Sequence, residues 1–312
     1  GQKNGWTRLV IEKPIGTDRD SARALNDLLA EYFVEDQVFR LDHYLGKDTL
    51  HDVLDFRFNR SPLESKITKK FVDHIQVSAL EDYGIGLRGP YYDQNGAIKD
   101  VGQNHLLQMI ALATMNKPTE FTPATVTKER IDILKNLVPD PDTLILGQYQ
   151  GYHGEPSVAP DSDTETYFAF KTSIDNDRFS GVPIYVRGGK YLTTTATEVV
   201  IVFKNTDKLV YRIGGANEGI TLISGATGDR TEYATGRDGI APDAYEKLLL
   251  DAIEGNQTYF NDASEIDAQW VFTDAIITKK HGMQPSIYER GTWGPKEADE
   301  LIERDDRSWL YF

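Results

Sequence analysis

The chain has 312 residues, a formal net charge of -15 and no cysteine. Its length allows a large buried core in one or two domains, and the missing cysteines exclude disulfides, thiolate nucleophiles and Cys-ligated metals. The acidic balance argues against nucleic acid as a partner, and no apolar run is long enough to predict a membrane helix. We therefore expect a soluble, cytoplasmic protein.

The first forty residues predict a β-α-β unit. Residues Arg8 to Glu12 form an apolar, β-branched run that stops at Lys13-Pro14, as expected for a buried strand. Asp18 precedes a helical spacing of apolar residues, and 37–41 is a second short strand. Such a unit belongs to a parallel sheet and is too small to form a doubly wound domain by itself.

The rest of the chain predicts an α+β fold. Between residues 48 and 137 the patterns indicate a helix (48–58), a strand (71–80), a Gly- and Pro-rich loop (82–95), an amphipathic helix (100–115) and another helix (124–137). Short strands with turn residues between them fill 144–223, and such short connections favour antiparallel pairing. Helices return after Pro242. We expect one large, mainly antiparallel sheet flanked by helices.

Residues Gly84 to Gly89 spell a literal G-x-G-x-x-G after a strand. A dinucleotide-binding turn needs a helix immediately after the motif, so that backbone N–H groups face the pyrophosphate. The residues that follow, Pro90 to Gly96, have the composition of a turn-rich loop. We therefore interpret this stretch as a loop and not as a coenzyme site.

Polar residues concentrate first at Asp42-His43-Tyr44-Leu45-Gly46-Lys47, just past a predicted strand. Ligands of open α/β sheets bind at such strand ends. His43, Tyr44 and Lys47 could hold a phosphate by charge and hydrogen bonds. A solvated loop is the alternative.

Two further clusters carry possible chemistry. His105 lies at the margin of an apolar helix face, where a histidine is either a structural residue or, if a carboxylate faces it, a general base. The second cluster is Arg187-Gly-Gly-Lys190, which could face an anion or a hydroxylated ligand, or could be a basic hairpin turn. The other histidines lack metal-ligand spacing, so we predict no metal site.

The segment Arg40 to Lys47, RLDHYLGK, resembles the signature of the glucose-6-phosphate dehydrogenase family. Other stretches resemble family motifs in the same order along the chain: Glu12-Lys13-Pro14, QNHLLQ (103–108), LGQY (146–149), GVPIYVRGGK (181–190), PDAYEKLLLDAI (242–253) and YERGTWGP (288–295). The resemblance covers essentially the whole chain.

The resemblance assigns roles to individual residues. His105 would be the general base that takes the proton from the C1 hydroxyl of glucose 6-phosphate, paired with the carboxylate of Asp42. His43, Tyr44 and Lys47 would grip the phosphate, and Glu81, Asp100 and Lys190 would bind the sugar. Lys13 would touch the substrate near the coenzyme, with Pro14 beside it.

The implied reaction is hydride transfer from glucose 6-phosphate to NADP, giving 6-phosphogluconolactone in the oxidative pentose phosphate pathway. The family also implies a homodimer formed through the large sheet. Family members begin with a coenzyme domain that carries a G-x-x-G-D-L motif, which is missing before Trp6. We therefore expect residues 1–43 to be a remnant of the Rossmann-type dinucleotide-binding domain, and 44–312 to be the substrate-binding and oligomerisation domain.

From that division we expect a chain that is catalytically inactive by itself and exposes apolar surface near its start. The alternative function is a non-catalytic module for sugar-phosphate binding or oligomerisation. A hydrolase that uses Glu81 and Asp100 as paired carboxylates is a further class, but it leaves RLDHYLGK unexplained.

Overall fold

A computed structural model of the protein describes residues 5–233 and 243–311. Pro242, which opens one of the family-like stretches, lies outside them. The strands are β1 (Leu9–Glu12), β2 (Val38–Leu41), β3 (Val72–Leu80), β4 (Leu137–Pro139), β5 (Ile145–Tyr149), β6 (Tyr167–Ile174), β7 (Ile184–Gly189), β8 (Ala196–Phe203), β9 (Lys208–Gly215), β10 (Gly219–Ile223), β11 (Arg230–Tyr233) and β12 (Ser286–Tyr288). The α-helices are α1 (Arg19–Ala30), α2 (Asp48–Asp55), α3 (Gly89–Ala97), α4 (Leu107–Thr114), α5 (Pro123–Lys135), α6 (Ala244–Glu254), α7 (Ala263–Ile277) and α8 (Lys296–Glu303), and π-helical turns follow α2 (Phe56–Arg60) and precede α4 (Ile98–Leu106).

The predicted β-α-β unit is present at the start of the described chain. Strands β1 and β2 pair in parallel, and α1 connects them. Asp18 caps α1 by accepting a hydrogen bond from the backbone N–H of Ser21. Arg19 of this helix pairs with Asp267 of α7 at 2.9 Å, so the unit packs against the C-terminal helices.

Ten strands form the large sheet, in the order β11-β10-β9-β8-β3-β7-β6-β5-β12 with β4 beside β6. Most neighbours are antiparallel, as the short connections predict. The pairs β3–β7 and β5–β12 are parallel, and each joins strands far enough apart in the sequence for the crossover connection that parallel pairing requires. The fold is therefore the predicted α+β type, with a large, mainly antiparallel sheet and flanking helices.

Two predicted elements were wrong in detail. The predicted loop 82–95 contains most of helix α3, which continues directly into the π-helical segment. The predicted amphipathic helix 100–115 has a second half that is buried on every side, since all eight residues of α4 are buried. Helix α4 contacts α2, α5 and β8, which leaves no face for solvent.

Two of the three glycines of the G-x-G-x-x-G stretch, Gly84 and Gly89, pack against other parts of the protein, whereas Gly86 has open space around it. A Cβ at Gly89 would lie 1.9 Å from the carbonyl oxygen of Pro156, and one at Gly84 would lie 2.2 Å from the ring of Tyr191. The reason given above for rejecting a coenzyme turn was wrong, because a helix does follow. Gly84 and Gly89 nevertheless lie against neighbouring protein atoms, which leaves no room for a phosphate at these two glycines.

Apolar side chains stand exposed around the β-α-β unit. Trp6, Leu28, Tyr32 and Val34 each expose more than half of their surface. Within the described residues, no helix combines the length and apolar character needed to cross a bilayer.

Candidate active site

The end of strand β2 and the π-helical segment bring Asp42 and His105 together. His105 Nδ1 lies 2.5 Å from Asp42 Oδ1, although the two residues are 63 positions apart in sequence. Both side chains are 2% exposed. The geometry is that of a neutral imidazole whose Nδ1–H donates to an ionised carboxylate, which leaves Nε2 to accept a proton.

Burial and charge keep this pair in that protonation state. Burial lowers the pKa of His105, the carboxylate of Asp42 opposes the shift, and the nearby ammonium of Lys13 adds to it. Burial would raise the pKa of Asp42, but the charge and hydrogen bond of His105, with Lys13 and His43, lower it to about 2. At neutral pH the site therefore holds an ionised aspartate and an imidazole that can act as a base.

Lys13, directly after β1, meets the free nitrogen of that imidazole. Its Nζ lies 2.6 Å from His105 Nε2 and donates to the backbone carbonyl of Asp100 at 3.1 Å. Burial lowers the pKa of Lys13, while Asp42 and Asp100 oppose the shift. Pro14, joined to Lys13 by a cis peptide bond, lines a cavity that Lys13, Asp42 and Trp270 also border.

A second group of charges lies on the other side of Lys13. Lys190, at the end of β7, is ion-paired with Glu81 at the end of β3, and its Nζ is 4.0 Å from Asp100 Oδ2. The sequence also contains a cation that our interpretation missed: Arg88 donates to Asp100 Oδ1 at 2.6 Å. Burial would raise the pKa of Asp100, but Arg88, Lys190 and Lys13 lower it.

Arg88 was missed because it lies inside the G-x-G-x-x-G stretch, which we interpreted as a loop. The available signal was a cation in the turn before a helix, close in sequence to Asp100. The second predicted cation of the Arg187–Lys190 cluster does not join this group. Arg187 points to the opposite face of the sheet, where it packs over the ring of Trp309 at 4.2 Å and donates to Ser78 at 3.1 Å.

The three residues predicted to hold a phosphate surround His105. The ring of Tyr44 stacks on the imidazole of His105 at 4.0 Å, and the ring of His43 approaches it edge-on at 4.7 Å. Lys47 Nζ lies 4.8 Å from the centre of the Tyr44 ring. These contacts place an imidazole and a phenol next to the His105–Asp42 pair, and a cation beside the phenol ring.

Two polar atoms in this cluster are buried without a hydrogen-bond partner among the described residues: Asp42 Oδ2 and His43 Nδ1. Burial first, and then electrostatic repulsion between the protonated forms of His43 and His105, lower the pKa of His43 to about 4 against the opposing effect of Asp42, so its ring is neutral at neutral pH. Burial raises the pKa of Tyr44 to about 12, so its hydroxyl remains a hydrogen-bond donor. Unsatisfied buried polar atoms are costly, and such atoms commonly mark a functional site.

The structure therefore brings the predicted site residues, except Arg187, into one region. Asp42, His105 and Lys13 form its centre, Glu81, Asp100 and Lys190 one side, and His43, Tyr44 and Lys47 the other. The arrangement offers a neutral base, a carboxylate that orients it, and cations on both sides that could bind an anionic, hydroxylated ligand.

Comparison with known proteins identifies the family. The model described as "Glucose-6-phosphate dehydrogenase, C-terminal domain" matches residues 54–223 and 228–310, and "Glucose-6-phosphate dehydrogenase, NAD binding domain" matches 1–52. Glucose-6-phosphate 1-dehydrogenase of Chlamydia pneumoniae is 37% identical over 351 residues, covering 99% of this chain and 68% of the relative.

Two solved structures have the same fold. One is described as glucose-6-phosphate dehydrogenase in complex with its substrate glucose-6-phosphate; it is 33% identical, has a TM-score of 0.90 and covers 100% of this chain and 71% of its own. The other, glucose-6-phosphate 1-dehydrogenase from Mycobacterium avium, is 32% identical, has a TM-score of 0.86 and covers 97% of this chain and 71% of its own.

Proposed function

The chain belongs to the glucose-6-phosphate dehydrogenase family, and on that premise we propose that it oxidises glucose 6-phosphate at C1 with NADP, the coenzyme of this family. The observation that carries the proposal is the buried His105–Asp42 pair, whose second imidazole nitrogen contacts Lys13 and whose aspartate lines a cavity. The product is 6-phosphogluconolactone, which places the reaction in the oxidative pentose phosphate pathway.

His105 acts as the general base. Its Nε2 takes the proton of the C1 hydroxyl while its Nδ1–H stays hydrogen-bonded to Asp42, whose negative charge stabilises the imidazolium that forms. The C1 hydroxyl must replace Lys13 Nζ at His105 Nε2, since the lysine holds that position without substrate. Displaced by less than a hydrogen-bond length, Lys13 can then donate to the substrate oxygen.

The remaining site residues bind and orient the sugar phosphate. Lys47 and His43 supply a cation and a ring nitrogen for the phosphate, and Tyr44 supplies a hydroxyl donor. Glu81 and Asp100 accept from sugar hydroxyls, and Lys190, which lies between them, donates. These groups are already neutralised by one another, so the substrate exchanges one set of polar contacts for another.

NADP supplies the hydride acceptor when it is bound, and Lys13 and Pro14 would hold its nicotinamide end. Together with Asp42 and Trp270, these two residues border a cavity beside the His105–Asp42 pair. For the pyrophosphate the described residues offer only the two parallel strands β1 and β2, and the one glycine-rich turn before a helix is filled by Pro156.

That limited fit supports a finer proposal for the 312-residue polypeptide expressed alone: it binds glucose 6-phosphate weakly and does not reduce NADP, so the activity proposed above is that of the product of the complete reading frame that contains it. NADP reduction by the purified chain, free of contaminating enzyme, would contradict it. Sequencing the gene upstream of Gly1 separates the alternatives. An upstream strand–G-x-x-G-D-L–helix supports the enzyme, whereas a stop codon and a start site there favour the non-catalytic sugar-phosphate-binding or oligomerisation module.

The direct test of the activity uses the product of the complete reading frame that contains this chain, referred to below as the complete gene product. We expect NADP reduction, followed at 340 nm, that depends on glucose 6-phosphate. Glucose without phosphate is the matched control substrate. No reduction with the phosphorylated sugar would overturn the proposal.

We also propose a homodimer formed through the large sheet and a cytoplasmic location, both on the ground of the family. Analytical ultracentrifugation of the complete gene product should give a dimer at micromolar concentration. A monomer at that concentration would contradict the predicted partner.

A further inference from the structure

A buried amide links the helix that carries His105 to the strand that ends at Asp42. Gln108 is fully buried, and its Nε2 donates to Asn261 Oδ1 at 2.6 Å. The backbone N–H of Asn261 donates to the carbonyl of Arg40 at 3.1 Å, so Asn261 pairs with the edge of β2 as an isolated antiparallel bridge. The hydrogen bond between Gln108 and Asn261 therefore connects the helical segment that carries His105 with the strand that precedes Asp42.

Asn261 is held in place by a buried ion pair. Arg130 of α5 and Glu265 of α7 are both fully buried, with Nε and Oε1 2.8 Å apart. Arg130 also donates to the carbonyls of Thr258 and Phe260 at 3.0 and 2.7 Å, which fixes the loop before Asn261. Removing one partner from such a network leaves the others unpaired in a low dielectric, so its geometry is strongly determined.

Asp42 has few other restraints. Among the described residues its Oδ1 is bonded by His105 and by the backbone N–H of Tyr44 at 2.9 Å, while its Oδ2 has no partner. Its distance from His105 thus depends on where β2 ends relative to the helix. We propose that Gln108 and Asn261 are positioning residues that set the Asp42–His105 contact. The catalytic meaning of this role rests on the function proposed above, but the contact itself can be measured without turnover.

The test compares two buried glutamines. Gln108→Met removes the amide while keeping the length of the side chain. Gln269→Met is the matched control, because Gln269 is fully buried and neither its amide nitrogen nor its amide oxygen has a hydrogen-bond partner among the described residues. In the complete gene product labelled with 15N-histidine, NMR measures the Nδ1–H resonance of His105 and its exchange with water.

We expect Gln108→Met to shift that resonance and to speed its exchange at least about tenfold, because the hydrogen bond to Asp42 is made less often. Gln269→Met should leave both as in the wild type. An unchanged resonance and exchange rate in Gln108→Met would overturn the proposal, and so would an equal effect of both substitutions.

Asn261→Ala removes the acceptor of the same bond and decides the question if Gln108→Met does not fold. It should produce the same acceleration of exchange. The double variant should be no faster than the faster single variant, because both substitutions remove the Gln108–Asn261 bond, and Gln108→Met alone also removes the 3.3 Å bond from Gln108 Nε2 to Glu265 Oε1. Independent, additive effects would mean that the two residues do not act through their mutual bond, and would contradict the proposal.

Kinetics separate positioning from general destabilisation. Gln108→Met should lower kcat about tenfold or more with KM within twofold, because a misplaced base affects the transition state most. In an Asp42→Ala background the same substitution should change kcat less than twofold, whereas a purely structural defect would persist there. If the wild type does not oxidise glucose 6-phosphate but Gln108→Met shows the NMR effect, the proposed function fails and the positioning role stands. If the wild type does oxidise it but Gln108→Met shows no NMR effect, the proposed function stands and the positioning role fails.

Discussion

Among the described residues, two His–Asp pairs have nearly the same geometry, and the aspartate of one of them, Asp42, lines a cavity. His105 Nδ1 lies 2.5 Å from Asp42, and His74 Nδ1 lies 2.6 Å from Asp73 on strand β3. Burial lowers the pKa of both imidazoles against the opposing charge of the aspartate. The hydrogen bond alone therefore does not distinguish a base from a structural histidine.

The difference lies in the remaining polar atoms. Arg307 donates to both oxygens of Asp73, at 2.9 and 3.1 Å, and the amide nitrogen of Gln76 lies 2.9 Å from His74 Nε2. In the other pair one aspartate oxygen has no hydrogen-bond partner among the described residues, and the second imidazole nitrogen meets a lysine that a substrate can replace. A pair that is satisfied on every side stabilises the fold, whereas one with atoms left over can perform chemistry.

The largest expected effect comes from removing each imidazole in turn. His105→Asn should lower kcat about 10²- to 10⁴-fold with little change in KM, since general-base catalysis contributes about that much. His74→Asn, the matched control, should leave kcat within about twofold. Steady-state kinetics of the complete gene product check this, and equal losses in the two variants would abolish the distinction between the pairs.

Local sequence patterns predict some elements of this fold and miss others. The β-α-β unit, the helices after Pro242 and the run of short strands follow from local periodicity. The helix within residues 82–95 does not follow from local periodicity, because the Gly, Pro and Asn residues there have low helix propensity. Tertiary contacts accompany α3 instead: Tyr92 is fully buried, and the carboxylate of Asp93 accepts hydrogen bonds from Tyr152 and Ser162.

The same holds for the site: local patterns indicated individual residues, but not the contacts between them. RLDHYLGK marked Asp42, and the margin of an apolar helix marked His105, but periodicity gives no information about a contact across 63 residues. Their convergence was implied only by the resemblance to a family. Arg88 and the Gln108–Asn261 bond were not predicted, because each depends on which loops the tertiary fold brings together.

A comparison of Lys190 with Lys171 tests which lysine contributes to substrate binding. Lys190→Gln should raise KM for glucose 6-phosphate about 10- to 100-fold, as expected for the loss of a charged hydrogen bond. The control is Lys171→Gln, which breaks the 2.6 Å pair of Lys171 with Asp305 in the C-terminal segment and should leave KM unchanged. Initial rates at varied substrate concentration measure both, and a KM shift in the control alone would contradict the assignment.

The pH dependence should also separate the pairs. Because the pKa of His105 is lowered, the acid limb of the kcat/KM profile should lie below 6.5, the ordinary value for histidine. Asp42→Asn removes a charge that raises this pKa, so the limb of its residual activity should move to more acidic pH, by about one unit. A shift to alkaline pH would contradict the sign, and Asp73→Asn should not move the limb.

The smallest effect is expected on the free energy of unfolding when the Asp73–His74 pair is changed. Arg307 first, and His74 with it, lower the pKa of Asp73 from 3.8 to about 2, so this contact stabilises the fold above about pH 4 and loses that contribution as the pH falls toward 2. Asp73→Asn should lower the free energy of unfolding by about 0.5–1 kcal/mol at pH 7, since Asp73 is partly exposed. Urea denaturation at pH 7 and pH 3 measures the difference, which should shrink at the lower pH.

The bridge between Asn261 and Arg40 has a consequence for the order of events in folding. Strand β2 pairs locally with β1, but its bridge to Asn261 forms only when the loop before α7 reaches it, and that loop bonds Gln108 across 153 residues of sequence. Contacts between such distant segments form late, because the loop they close must first lose its conformational freedom. Refolding followed by stopped-flow methods should therefore recover far-UV circular dichroism before it recovers the ability to bind glucose 6-phosphate.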